Sequence, residues 1–251
     1  MHPIDIAEIR AWLHEAGALA LSYFNATSGW QKPDQTPVSA ADLAVEALLV
    51  ERLRRRYPEH NIVGEEQTRH QSNSPYLWAL DPIDGTGAFL SGLPLWCISL
   101  GLLYHNEPVA GAIYFPVTSE YYTTAGDGRA YRDEQLLAVA HLGTQLPEQW
   151  LAVPSDAHRR LQITYPGKTR SLGGAAASIC YVARGSAVAG IIGPVALWDV
   201  AAGFAILAAA GGVATDLHGA PVQATALDPT RTILLGHATV LEQLRPQIAR
   251  K

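Results

Sequence analysis

The stretch Tyr76-Leu-Trp-Ala-Leu-Asp81-Pro82-Ile-Asp84-Gly-Thr86 decides how the chain is read. An apolar run of strand character ends at Asp81-Pro82, where proline removes a backbone donor and bends the chain. Asp84-Gly-Thr86 then reads as a helix start. Two carboxylates three residues apart at a strand end can converge on one cation or bridge two. Oxygen ligands of this kind suit a hard ion such as Mg²⁺. The helix start adds free N–H groups and a positive dipole end, a combination suited to phosphate. The same spacing also fits a plain turn with a helix cap, and the motif alone leaves both readings open.

Upstream, Asn61 to Gly64 is a short strand leading into Glu65-Glu66. Ser39-Ala-Ala-Asp42 has capping-box spacing, with Asp in place of Glu or Gln. It opens a helix with Leu43, Ala47 and Val50 on one face, ending near Tyr57-Pro58. A polar loop over Thr27 to Pro37 precedes it. Before the loop, Ile6, Ile9, Leu13, Ala16 and Ala20 recur at helical spacing, with Pro3 suited to the first turn. Downstream, Leu95 to Tyr104 and Val109 to Phe115 form a hairpin across His105 to Pro108. Glu120 to Thr124 and Arg129 to Arg132 form another around Gly126 to Gly128.

A soft boundary lies near residues 133–148, and past it strands and helices alternate. Trp150 to Val153 is a strand, and Ser155-Asp156 can cap a short helix. Gly173-Gly174 precedes a small-residue helix to about Arg184, and Ala187 to Ile192 is strand-like. Asp199 to Ala210 is a helix stopped by Gly211-Gly212. Val213 to Thr215 and Thr232 to Leu235 are short strands, and Ala238 to Arg250 is a final helix. The alternation indicates layered α/β structure. It divides the chain into an α+β half over residues 1–135 and an α/β half over 136–251, packed as one unit.

Composition narrows the function classes. The 251 residues are 48% hydrophobic and 16% charged, enough to bury a core and too apolar for disorder. The net charge of −5, without a basic patch, argues against a general nucleic-acid binder. No apolar run suggests a membrane span, and Met1 to Arg10 lacks the apolar core of a leader. Cys97 and Cys180 form no C-x-x-C pair. A cytoplasmic protein is expected.

Asp42, Glu65, Asp81, Asp84 and Asp199 carry the decision jointly. Singly, Asp42 is a cap residue, Glu65 a solvated loop acid and Asp199 a first-turn acid favoured by the dipole. Together with their neighbours they resemble the inositol-monophosphatase-like phosphatases. Asp81-Pro-Ile-Asp-Gly-Thr86 resembles that family's signature, and Gly64-Glu-Glu66 stands upstream at the family's spacing. Trp198-Asp-Val-Ala-Ala-Gly203, followed by Ala210-Gly-Gly212, resembles its second signature. Arg170-Ser-Leu-Gly-Gly-Ala175 is similar to the segment before it, and the likeness spans about Lys32 to Pro221.

The resemblance implies an α/β/α/β/α sandwich with the site between the halves. It implies one metal held by Glu65, Asp81 and the carbonyl of Ile83, and a second held by Asp81, Asp84 and Asp199. A third, largely water-held metal is implied at Glu65, so two or three Mg²⁺ ions are the expected cofactor. Asp42 and Thr86 match a pair that helps to deprotonate the attacking water, beside Glu65. Gly85 and Thr86 match the phosphate-binding backbone. Asp84, Asp199 and Gly173-Gly174-Ala175 are the further substrate contacts, and Lys32 matches a lysine on a mobile loop.

The implied activity is Mg²⁺-dependent, lithium-sensitive phosphomonoester hydrolysis by direct attack of metal-activated water, in a homodimer. The chemistry is consistent: uncatalysed monoester hydrolysis is among the slowest biological reactions, and divalent ions neutralise the dianion and activate water. The nine histidines show no H-x-x-x-H pair, which speaks against zinc. Departures from the family concern substrate. Gly87-Ala88-Phe89 follows the first signature, Gly174 stands where Thr is common, and Ile192 stands where inositol-cleaving members carry an acid. Isoleucine cannot accept a hydroxyl's hydrogen bond, so a less polar, roomier pocket is expected. Sugar, inositol, histidinol and nucleotide 3′-phosphates are the candidate metabolites; membrane and nucleic-acid partners are not expected. Trp78, Trp96 and Trp198 are expected in the core. The alternative is a regulatory or binding protein on the same fold, for example with RNA-related machinery; retention of all five acids speaks for the enzyme.

Overall fold

The computed structural model describes residues 4–124, 126–143, 148–228 and 230–251. Asp5 caps α1 (Ile6–Tyr23) by accepting the amides of Ala7 and Glu8. Pro3, expected in the first turn, lies outside the described residues. The segment expected as a loop is a hairpin, with β1 (Gly29–Gln31) antiparallel to β2 (Pro37–Ser39). Its strands are short and β1 is exposed throughout, so no hydrophobic alternation marked it. Ser39 then caps α2 (Ala40–Arg56) in a complete capping box with Asp42.

β3 (Asn61–Gly64) and β4 (Arg69–His70) precede β5 (Tyr76–Asp84). β5 does not stop at Asp81-Pro82 as expected. It runs on to Asp84 across a register shift, with Asp81 opposite Ser99 and Asp84 opposite Cys97. Proline is tolerated at such an irregularity, where a ladder donor is dispensable. The short α3 (Thr86–Leu90) follows. β6 (Cys97–Tyr104) and β7 (Glu107–Phe115) turn on His105 and Asn106, at φ of 48° and 69°. Paired positive φ is the hairpin-turn geometry, and Pro108 therefore belongs to β7 rather than to the turn. β8 (Glu120–Thr124), β9 (Ala130–Arg132) and β10 (Gln135–Leu136) complete an eight-stranded sheet in the order β10-β9-β8-β7-β6-β5-β3-β4.

β11 (Trp150–Ala152), α4 (Ala157–Arg160), β12 (Leu161–Ile163) and β13 (Lys168–Arg170) open the second half. α5 (Ala175–Ala183), β14 (Ala189–Ile192), α6 (Leu197–Ala209), β15 (Val213–Asp216) and β16 (Ile233–Gly236) follow. The smaller sheet has the order β13-β11-β14-β16-β15. The expected last helix is only α7 (Ala238–Leu244). Pro246 cannot continue it, so one 3₁₀ turn leads to β17 (Ile248–Arg250), which pairs with β12.

Buried hydrophobic clusters bind these elements into the expected α/β/α/β/α layers. Leu13, Leu49, Leu80 and Leu100 join α1 and α2 to the outer face of the large sheet. Ile113, Phe115, Ile179, Ile206 and Leu235 fill the space where α5 and α6 lie between the sheets. Ile191, Leu234 and Leu241 join α7 to the far side of the small sheet. Each such side chain contributes roughly 1.5–3 kcal/mol on burial. Trp78 and Trp96 are core residues as expected. Trp198 is not: it is half-buried, with the Arg69 guanidinium 5.0 Å above its ring. No helix among the described residues is long and apolar enough to cross a membrane.

Candidate functional site

The end of β5 delivers Asp81 and Asp84 into the space between the large sheet and the N-termini of α5 and α6. Asp81, 1% exposed, accepts the Ile83 amide at 2.9 Å. Asp84 accepts the α5 amides of Ala175 at 3.1 Å and Ala176 at 3.0 Å, which fixes the helix start on its carboxylate. A Cβ on Gly174 would overlap Asp84 Oδ2. The glycine expected as a loss of polarity is thus a condition of that approach. Asp199, in the first turn of α6, accepts the Ala196 amide at 2.7 Å. Glu65 follows β3, its amide bonded to the Leu80 carbonyl at 3.0 Å, and its Oε1 meets Lys32 Nζ at 2.7 Å. Lys32 also meets Glu66 Oε1 at 2.8 Å, and its backbone closes the β1–β2 tip with Thr36.

These acids oppose each other's ionisation. Burial, then the charges of Glu65, Asp84 and Asp199, push Asp81 well above the usual carboxylate range. Burial raises Asp84 to about 6 against the pull of the α5 amides. Asp199 rises to about 7, again chiefly through burial, with the charges of Asp84 and Glu65 adding. Glu66 rises to about 7 by burial, opposed by Lys32. Burial would lower Lys32, yet its bonds to Glu65 and Glu66 hold it above its ordinary value. No three His, Cys, Asp or Glu side chains among the described residues stand ready to hold a metal as they are. The two observations are compatible, because charge coupling acts over several ångströms whereas Mg²⁺ ligation needs ~2.1 Å. The acids bond instead to amides and to the Lys32 ammonium. Their chemistry fits a hard divalent ion: the donors are all carboxylate oxygens, with Asp81 and Asp84 buried and Glu65 and Asp199 partly buried. Ser99, opposite Asp81, adds a buried Oγ without a hydrogen-bond partner among the described residues.

Asp42 and Thr86 are brought together as expected. Thr86 Oγ1 lies 3.1 Å from Asp42 Oδ1 and 3.1 Å from the Ile83 carbonyl, so its one proton serves either acceptor. Asp42 Oδ2 accepts the amide and the hydroxyl of Ser39 at 2.8 and 2.6 Å. Burial raises Asp42, with the Ser39 and Thr86 bonds opposing. Gly85, at φ 89°, starts α3 beside them. Gly173, Gly174 and Ala175 line a cavity of about 140 Å³ together with Ser155, Ser178 and Ile192. No charged side chain stands among its described lining residues. A larger apolar cavity of about 470 Å³ lies away from the acids, against Ile9, Trp78 and Leu100.

Cys97, Ser99 and Glu46 went unread in the sequence. Cys97 Sγ lies 3.7 Å from Asp84 Oδ2. Cys97 and Ser99 alternate along an apolar strand and look like core until β6 is placed against β5. Glu46 stands one turn after Asp42 on α2, and its buried carboxylate holds the loop after β3. An acid at that spacing on the packed face of a helix was the available signal.

Residues 1–250 match the model of the inositol monophosphatase family. The chain is 34% identical over 200 residues to "Nus factor SuhB" of Xylella fastidiosa, covering 76% of this chain and 72% of that protein. It is 32% identical over 200 residues to "Fructose-1,6-bisphosphatase/inositol-1-monophosphatase" of Aquifex aeolicus, covering 74% of each. In fold it is similar to a solved IMPase of Thermotoga maritima, with a TM-score of 0.84, 23% identity and coverage of 97% and 96%.

Proposed function

The chain belongs to the inositol monophosphatase family, and from that premise we propose that it is a Mg²⁺-dependent phosphomonoesterase acting on a small phosphorylated metabolite. The observation that carries this reading is the gathering of Glu65, Asp81, Asp84 and Asp199, where burial first and the neighbouring acids' charges second raise the protonation equilibria of Asp81, Asp84 and Asp199. These four and the Ile83 carbonyl would hold two or three ions. Mg²⁺ bound there supplies charge neutralisation and activation of water.

The remaining work falls to this chain's own groups. The Asp42 carboxylate holds the Thr86 hydroxyl so that Oγ1 can accept a proton from the attacking water while its own proton passes to Asp42 Oδ1. Burial of Asp42 makes that oxygen more basic. The Gly85 and Thr86 backbone carries the phosphate, the cavity beside Gly174 takes the leaving group, and Asp84 and Asp199 are the further substrate contacts. Lys32, on the β1–β2 tip, neutralises Glu65 in the metal-free site, and Glu65 would leave that ion pair to serve as a ligand. The protein acts as a lithium-sensitive, cytoplasmic homodimer, without membrane or nucleic acid.

Hydrolysis of p-nitrophenyl phosphate tests this. Turnover is expected to vanish in EDTA, to return with Mg²⁺ and to fall with Li⁺. Equal rates with EDTA and Mg²⁺ overturn the reading. The SuhB relative favours a second reading, a regulatory or binding role on this fold. That role would survive Asp81→Asn, whereas turnover would not.

A further inference from the structure

We propose that Glu46 is a positioning residue that sets the Glu65–Glu66 segment for cation binding, an inference that rests on the metal-dependent reading above. Glu46 is 3% exposed. Its Oε2 accepts the Glu66 amide at 2.8 Å. Its Oε1 accepts the amides of Gln67 and Thr68 and the Thr68 hydroxyl, each at 2.8 Å. One carboxylate thus receives four donors, and three of them are the amides of consecutive residues. Hydrogen bonds to an ionised acceptor are about twice as strong as neutral ones. Such a set compensates a buried charge with which no cation among the described residues pairs.

The loop is built round that carboxylate. A Cβ on Gly64 would overlap Glu46 Oε2, so glycine at the end of β3 leaves room for the Glu46 carboxylate in this position. The Gly64 amide bonds to the Thr68 carbonyl at 2.9 Å and closes the turn. Glu65, between the Gly64 and Glu66 anchors, is tied across to β5 by its amide on Leu80. Its side chain emerges toward Lys32. Both Glu46 oxygens are engaged with the loop, so Glu46 is a support and not a ligand. One turn of α2 therefore governs both sides of the site: Asp42 orients Thr86, and Glu46 orients the segment carrying Glu65.

The test is Mg²⁺ binding to metal-free protein by titration calorimetry, with thermal melts in EDTA and the Mg²⁺ dependence of turnover alongside. Glu46→Gln turns an NH₂ toward amide donors. It is expected to weaken Mg²⁺ binding ~10-fold or more, the usual cost of losing a group that orients a ligand. Thr68→Val removes one of the four bonds. It is expected to weaken binding about threefold, the low end for one hydrogen bond, with kcat at saturating Mg²⁺ equal to the parent's. A brace for the fold alone would lower the melting temperature and leave Mg²⁺ affinity within twofold of the parent, and that result overturns the proposal. Where Glu46→Gln does not fold, Thr68→Val decides. A parent that takes up no Mg²⁺ overturns the metal reading and this proposal together; a parent that binds, with variants that match it, overturns this proposal alone.

Discussion

Asp81 is buried beside three other acids, and each disfavours its ionised form. Asp81→Asn keeps an oxygen for the Ile83 amide and removes the charge. Turnover should fall below detection, while the melting temperature in EDTA should rise because like-charge repulsion is relieved. Kinetics over a Mg²⁺ titration and a thermal melt check both halves; near-normal turnover contradicts a shared ligand at Asp81. Thr86→Ala should lower kcat ~10²-fold, the low end for lost acid–base help, with KM changed less. A rise in KM alone would make Thr86 a phosphate binder. At this scale Asp81, Asp84 and Asp199 were legible because their spacing is tied to strand and helix ends. Glu46 was not, because its partners are backbone amides, which every sequence supplies.

The elements were read where periodicity was long and misread where proline or exposure intervened. α2 followed from its capping box and apolar stripe. The β1–β2 hairpin did not, having no buried face on β1. Pro82 was taken for a strand end and is accommodated by a register shift, whereas Pro246 did break the last helix. The end of β14 bears on specificity. Ile192, 4% exposed, lines the cavity beside Gly174 without offering a hydrogen-bond acceptor. Sites matched to a polyol need buried polar groups, since unpaired ones are what reject analogues. myo-Inositol 1-phosphate should therefore not be preferred. The check is kcat/KM across inositol 1-phosphate, fructose 1,6-bisphosphate, histidinol phosphate, glycerol 2-phosphate and adenosine 3′,5′-bisphosphate. A ~10²-fold preference for the inositol ester, about 2.7 kcal/mol, contradicts this reading of Ile192.

For the whole molecule, the acids make metal-free stability depend on pH. Asp84 titrates at about 6, and Asp199 and Glu66 at about 7, against ordinary values of 3.8 for aspartate and 4.5 for glutamate. Between about pH 4 and 7 the folded chain therefore binds more protons than the unfolded chain, and stability falls as pH rises through that window. Melts in EDTA should be higher near pH 5 than at pH 8. Mg²⁺ should raise the melting temperature more at pH 8, where it displaces fewer protons than at pH 5. A melting temperature in EDTA that is flat or rising from pH 5 to 8 contradicts the coupling. The layering was legible because the strand-rich and alternating halves call for different packing. The way the α5 and α6 N-termini meet β5 was not, since it depends on how the two sheets stack.

The bonds from Asp84 to the start of α5 join residues 91 and 92 apart in sequence. Closing so long a loop carries an entropic cost before any contact repays it, and non-local contacts slow folding. Local helices such as α1 and α2 need no such closure. The site is therefore expected to form late in chain assembly, with its acids apart in a nascent or half-folded chain. On dilution from denaturant into Mg²⁺, helical circular dichroism should recover before turnover does, and turnover returning in step with the first helical signal would contradict that order.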